Sequence, residues 1–185
     1  KNIHSQRITR ETSEEEWEKI IREGVDTIIH CAANASNPKN TEEFSQYIHD
    51  NILLTQKLLK ILNRKFIFIS TIDVYQKNDV LHCEDEEIDS NKIQGVYAFT
   101  KYVSEVFIQK TSPQWTILRC SALLGEDARK SSILRILKEK KPTVTVSADS
   151  EFNYVLHKDL LKIIVYLIRS NAQGIYNCCS KENIA

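Results

Sequence analysis

The sequence predicts an α/β protein on a doubly wound, Rossmann-like parallel sheet, and three features predict it. Short apolar runs of strand length alternate with amphipathic stretches of about 10–20 residues. The runs are continuously hydrophobic, as strands covered on both faces must be. The clearest of them ends in hydroxyl residues, where open α/β sheets place their ligands.

Lys1 to Ile8, with Ile3 and Ile8 apolar, reads as a strand. Ser13 followed three residues later by Glu16 is a capping-box pattern that opens a helix through Ile20 and Ile21 and stops at Gly24. Val25 to Ala33 is a β-branched apolar run, closed by small residues and by the turn-rich Asn34-Ala35-Ser36-Asn37-Pro38. Phe44, Tyr47, Ile48, Ile52, Leu54, Leu58, Leu59 and Leu62 then repeat at helical spacing, predicting one long helix from about 41 to 63. Inside it lies Asp50-Asn51. An asparagine in mid-helix competes for backbone groups. Asn51 is therefore either an exposed residue of small cost or an amide bonded to a loop or ligand at the sheet edge.

Lys65 to Thr71 is the clearest strand, with Ser70 and Thr71 at its carboxyl end. Residues 76–94, polar and acidic, read as a surface loop. A helix begins near Tyr97 and runs to about Lys110, followed by the strand Trp115–Cys120, which Ser121-Ala122-Leu123-Leu124-Gly125 closes. A basic helix over about 130–140 stops at Pro142, and Thr143–Val146 is a short strand. Phe152–Leu156 reads as another strand, His157–Ser170 as an apolar-faced helix and Gly174–Cys178 as a last strand.

The bulk properties bound the function. At 185 residues the chain is one domain's worth, and 42% hydrophobic with 27% charged residues is ordinary for a globular protein. Lys+Arg and Asp+Glu balance at 25 each, so no basic field draws nucleic acid or anionic membrane. No apolar run approaches the ~20 residues of a membrane span, and no signal peptide is visible. The five cysteines lack metal-ligand spacing and read as reduced thiols, which points to the cytoplasm and to no bound metal. Methionine is absent, and there are four glycines where average usage would give roughly a dozen.

The chemistry-bearing stretch is Gly95-Val96-Tyr97-Ala98-Phe99-Thr100-Lys101-Tyr102. On a helix, Tyr97 and Lys101 share a face. A free phenol, with a pKa of about 10, is a poor base at neutral pH. A neighbouring ammonium favours the phenolate and brings it nearer working range. That pairing suits proton transfer to or from a sugar or alcohol hydroxyl while a hydride moves elsewhere. The competing reading is a tyrosine packed on the core beside a solvated lysine. Tyr154 and Lys158 share the spacing, but Tyr154 lies in a strand, where residues four apart are far along the chain.

Taken together these stretches resemble the extended short-chain dehydrogenase/reductase family, the sugar-nucleotide epimerases, dehydratases and reductases. The run ending His30-Cys31-Ala32-Ala33 is similar to that family's strand ending in His-x-Ala-Ala, and Asn51-Ile52-Leu53-Leu54-Thr55 to its Asn-helix. Phe68 to Tyr75 resembles the strand carrying its catalytic Ser/Thr, and Tyr97-Ala98-Phe99-Thr100-Lys101 its Tyr-x-x-x-Lys. Leu118 to Gly125 is similar to its Leu-Arg-x-x-Asn-x-x-Gly, and Asn153 to Leu160 to a degenerate Arg-Asp-Phe-Val-His-Val-Asp-Asp. The resemblance implies Tyr97 as general acid/base, Lys101 tuning it and bonding a nicotinamide ribose, and Thr71 bonding the substrate. It implies Ala32, Ala33, Asn51, the Ser70 backbone and Cys120 along an NAD or NADP cofactor, with Thr71, Ser121 and Ala122 on the side of a nucleotide-linked sugar. It also implies a homodimer built on the helices near 41–63 and 96–110.

Departures from the pattern accompany it. None of Gly24, Gly95, Gly125 and Gly174 supplies the Gly-x-x-Gly-x-x-Gly turn that sets a helix N-terminus against a pyrophosphate. That first glycine-rich βα unit is expected upstream of Lys1, with this chain a piece of a longer protein. Residues 1–125 then form the incomplete dinucleotide-binding core, and 126–185 a partial substrate-side portion interleaved with the last core strands. Ala122 stands where the family has Asn, and the arginine of Arg-Asp-Phe is missing. Two other readings stay open: a non-catalytic dinucleotide-binding relative serving as sensor or scaffold, and a reductase of a non-nucleotide ketone.

Overall fold

The computed structural model describes residues 3–9, 11–61, 64–78, 80–126, 128, 136 and 151–183. Ser13 caps the first helix, α1 (Glu14–Arg22), its hydroxyl accepting from Glu16 N at 3.2 Å as the capping pattern predicts. The strands β1 (Thr27–His30), β2 (Lys65–Thr71) and β3 (Trp115–Cys120) follow, with β4 (Ala122–Leu124), β5 (Tyr154–Leu156) and β6 (Gly174–Cys178) beyond them. Four of these form one sheet in the order β1-β2-β3-β6, and every pairing is parallel. β4 and β5 make a separate parallel pair beside it.

Parallel neighbours need crossovers, and the helices supply them. α2 (Thr41–Ile48) and α3 (Leu54–Ile61) join β1 to β2; α4 (Val96–Thr111) joins β2 to β3; α5 (His157–Ser170) leads into β6. The alternation of a strand sends successive side chains to opposite faces. Ile67, Ile69, Leu118 and Cys120 pack with Leu160, Ile164 and Leu167 of α5. Phe66, Phe68 and Ile117 pack with Ile108 of α4 and Leu58 and Leu59 of α3. Helices cover both faces, the doubly wound arrangement expected from the unbroken apolar runs.

Two expectations change. Residues 3–9 carry no strand: Ile3 and Ile8 are exposed, and among the described residues no strand pairs with the outer edge of β1 to satisfy a further ladder. The long helix over 41–63 is interrupted by a π-helical turn, His49–Leu53, in which Leu54 N bonds to His49 O. Asn51 lies in that turn and is buried, and its carbonyl accepts from the Thr55 hydroxyl at 3.0 Å and the Ser104 hydroxyl at 2.9 Å. Such one-turn bulges cluster at functional positions. The basic helix over 130–140 and the strand Thr143–Val146 lie outside the described residues, apart from Ile136, which is helical.

Candidate functional site

In a parallel sheet the carboxyl ends of all strands fall on one edge, and helices running back antiparallel begin on that edge. His30, Thr71, Cys120 and Cys178 end their strands there, and Tyr97 sits in the first turn of α4. α4 packs against β2, β3 and the short 3₁₀ turn Ile72–Val74 that directly follows Thr71. The topology thus gathers the residues singled out from the sequence along one edge.

Lys101 stands one turn beyond Tyr97 and is only 2% exposed, with Nζ 3.9 Å from the centroid of the Phe68 ring on β2. Its charge is felt by His30 and Cys31 at the end of β1 and by Cys120 at the end of β3. Burial, with help from Lys101, pushes the His30 imidazole down to about 3, so it is neutral. His30 Nε2 lies 2.8 Å from Thr55 Oγ1. The Thr55 hydroxyl spends its proton on Asn51 O, so the Nε2–H of His30 donates to it.

Asn51 is the joint between the β1 loop and α4. Its Oδ1 accepts from Asn34 N at 2.7 Å and its Nδ2 donates to Asn34 O at 2.8 Å, fixing the loop that follows Ala33. The same Nδ2 reaches Thr100 Oγ1 at 3.3 Å, and the Thr100 hydroxyl donates to Tyr97 O at 3.0 Å. Asp50 adds a second tie, accepting from Asn34 Nδ2 at 3.0 Å. Of the two readings the sequence left open for Asn51, the amide bonded to a loop at the sheet edge is the one seen.

The remaining residues divide. Ser70 turns its hydroxyl toward α4 and donates it to Glu105, leaving only its backbone for the edge. Thr71 is buried and its hydroxyl is engaged locally, accepting from Asp73 N at 3.2 Å and donating to Asp73 Oδ2 at 3.0 Å. A ligand oxygen bonded by Thr71 would therefore exchange places with the Asp73 carboxylate. Cys120 is buried beside Cys178, its register partner on β6; their hydrogen bond and burial push the Cys120 thiol up, so it stays protonated. Ser121 is buried and Ala122 exposed, on opposite faces of the chain as it leaves β3.

Tyr75 is a phenol beside a cation, 2.9 Å from Arg119 Nη1. Burial raises it in spite of that contact, so it remains a neutral phenol. Tyr75 is buried, whereas Tyr97 is half-buried and open to solvent. Glu105, Arg119 and Tyr75 escaped attention in the sequence. One signal was present: a single arginine inside a continuously apolar strand demands a buried partner.

A parallel sheet covered on both faces, with a buried lysine and a half-buried tyrosine at its carboxyl edge, defines a Rossmann-like α/β protein. The chain belongs to the NAD-dependent epimerase/dehydratase family, whose sequence pattern matches residues 4–179. No curated protein matches it by sequence. Among solved structures it is similar to a dTDP-4-dehydrorhamnose reductase from Bacillus anthracis in complex with NADP, with a TM-score of 0.78 and 22% identity over 94% of this chain and 63% of that one. It is also similar to a UDP-glucuronic acid 4-epimerase from Bacillus cereus in complex with UDP-glucuronic acid and NAD, with a TM-score of 0.75 and 23% identity over 90% of this chain and 57% of that one. A UDP-N-acetylglucosamine 4-epimerase from Methanobrevibacter ruminantium gives a TM-score of 0.76 and 22% identity over 92% and 60%. The chain thus spans about three fifths of the length of these structures.

Proposed function

We propose that the protein is an NAD(P)-dependent epimerase, dehydratase or reductase acting on a nucleotide-linked sugar. The observation that carries this reading is the buried Lys101 ammonium, one turn from the half-buried Tyr97, at the carboxyl edge of a sheet whose family uses NAD. The residues present fit the nicotinamide–ribose half of the cofactor. Lys101 offers an ammonium to ribose hydroxyls, and Ala32, Ala33 and the Ser70 backbone put no bulk on the edge. Asn51 holds the loop that carries the alanines, and Cys120 closes the floor as a neutral thiol. NAD(P), when bound, supplies the hydride chemistry.

The chain's own part is the proton and its placement. Tyr97 takes a proton from, or returns one to, a sugar hydroxyl. Lys101 favours the phenolate, which brings the tyrosine's basicity nearer neutral pH. Thr71 bonds the same sugar oxygen once released from Asp73, and Ser121 and Ala122 lie on the sugar side. The homodimer is also proposed here: Phe44 and Leu53, near and in the π-turn, and Phe99 and Val106 on α4 are large exposed apolar side chains. The latter two line a groove with Tyr102, Val103 and Phe107.

The test is made on the full-length protein. NADH or NADPH is titrated by fluorescence, and turnover of UDP- and dTDP-linked sugars is followed with and without Tyr97→Phe. The reading expects nicotinamide binding in both proteins and a loss of at least ~100-fold in kcat for the variant, the usual size of a general acid/base contribution. Equal turnover would remove Tyr97 from the chemistry. Binding without turnover would favour a sensor or scaffold.

A further inference from the structure

Arg119 and Glu105 are among the most deeply buried side chains of the described residues, 2% and 0% exposed. The guanidinium grips the carboxylate with two nitrogens, Nη2 donating to Oε2 at 2.8 Å and Nε shared between Oε2 at 3.2 Å and Oε1 at 3.4 Å, a fork that reaches both oxygens. Taking both charges out of water costs about as much as their attraction returns, and an apolar pair of equal volume often serves stability as well. What an apolar pair lacks is direction. A fork tolerates little sliding or rotation of the elements it joins.

The pair sits at the centre of a larger network. Ser70 Oγ, beside Thr71, donates to Glu105 Oε1. Arg119 Nη1 donates to the Tyr75 hydroxyl at 2.9 Å, and that hydroxyl donates in turn to Asn177 Oδ1 at 2.9 Å, with Cys83 O at 3.1 Å. Asn177 Nδ2 donates to His82 O at 3.3 Å, and Asn177 N donates to Glu84 Oε1 at 2.9 Å. The Tyr75 and His82 rings stack with centroids 4.8 Å apart. Helix α4, the end of β2, β3, β6 and the acidic segment after Tyr75 are thereby joined through two buried charges. Tyr97, Lys101 and Glu105 follow each other at four-residue steps, which places all three on one side of α4.

We propose that Glu105 and Arg119 are positioning residues: their fork fixes the rotation and height of α4 against the strand end that bears Thr71. Through Tyr75 and Asn177 the same fork holds residues 82–84 beside that edge. The catalytic consequence rests on the reading of Tyr97 given above; the structural tie does not. Acting through Tyr97 and Lys101 and not on substrate, the pair governs the rate of the chemical step more than it governs ground-state binding, to which it contributes only through Lys101.

The experiment uses the full-length protein carrying Glu105→Leu together with Arg119→Met, which leaves no lone buried charge. Amide hydrogen exchange is read by mass spectrometry, alongside kcat, KM and NADH affinity. The expected result is a folded protein with kcat lower by at least about tenfold and with NADH affinity and KM changed by clearly less than kcat, because small misplacements of reacting groups cost up to about 100-fold. Exchange in peptides covering 96–104 and 80–86 should quicken by about tenfold while that of β2 stays slow. A folded double variant with unchanged kcat and unchanged exchange overturns the proposal. Should the parent itself show no turnover, the functional reading fails and exchange alone decides the tie. Should the double variant not fold, Tyr75→Phe decides it: faster exchange confined to 80–86 supports the tie, and unaltered exchange there overturns it.

Discussion

The ammonium of Lys101 lies 3.9 Å from the centre of the Phe68 ring, a contact between the helix that bears Tyr97 and the strand that ends in Thr71. In a buried setting the ring face gives a cation a partner that does not neutralise it. The contact fixes the position of Lys101 Nζ against β2. Phe68→Leu and Lys101→Met, singly and together, should show a coupling of about 0.5–2 kcal/mol in chemical denaturation. Additive losses would mean that the ring only fills space.

Acid should weaken the fold through His30. Its folded value of about 3 lies below the ordinary 6.5, so the unfolded chain binds the extra proton first as the pH falls. The stability contributed by keeping His30 neutral is whole above pH ~6.5 and is lost progressively toward pH 3, on the order of 5 kcal/mol in all. Urea midpoints measured from pH 7 to pH 4 should fall in the parent. His30→Gln, which can still donate to Thr55 but does not titrate, should flatten that slope.

Asn51→Ala removes the partner of both Asn34 N and Asn34 O. Leaving these groups unpaired should cost about 1–3 kcal/mol. Hydrogen exchange should quicken over residues 31–36, and NADH affinity should drop, because the loop following Ala33 loses its anchor. Unchanged affinity with a loosened loop would separate this loop from the cofactor.

A side chain at Gly125 meets the ring of the exposed His157. A Cβ there would stand 2.3 Å from His157 Nδ1, at the start of α5. Gly125→Ala should force the His157 ring out of its place at a cost of about 0.5–1.5 kcal/mol, that of a displaced rotamer, and His157→Ala should recover most of it. The double-mutant cycle is read by denaturation.

Much of the fold was legible in the sequence because it rests on short-range periodicity. The runs ending at Thr71 and Cys120 are continuously apolar and helices cover them on both faces, whereas the run Val25–Ala33 supplies the edge strand β1, where Ile29 stays exposed. Ser13 and Glu16 announced α1, and the cap is there. The Tyr97–Lys101 spacing implied one helix face, and α4 supplies the helix. The π-turn at His49–Leu53 was not legible, since its apolar residues satisfy an ordinary helical repeat. It exists where the carbonyl of Asn51 turns to the hydroxyls of Thr55 and Ser104, and Ser104 lies 53 residues away.

Residue types and their local spacing thus determined the class of fold, the edge along which the candidate residues fall and the helix that bears Tyr97 and Lys101. Tertiary structure decided the partners: Glu105 for Arg119, Asn34 for Asn51, and Asn177 for Tyr75 across 102 residues. Periodicity is a property of neighbouring dihedral angles, so it can be read along the chain. A buried charge or amide announces that it needs a partner, but which group meets it depends on how distant elements stack.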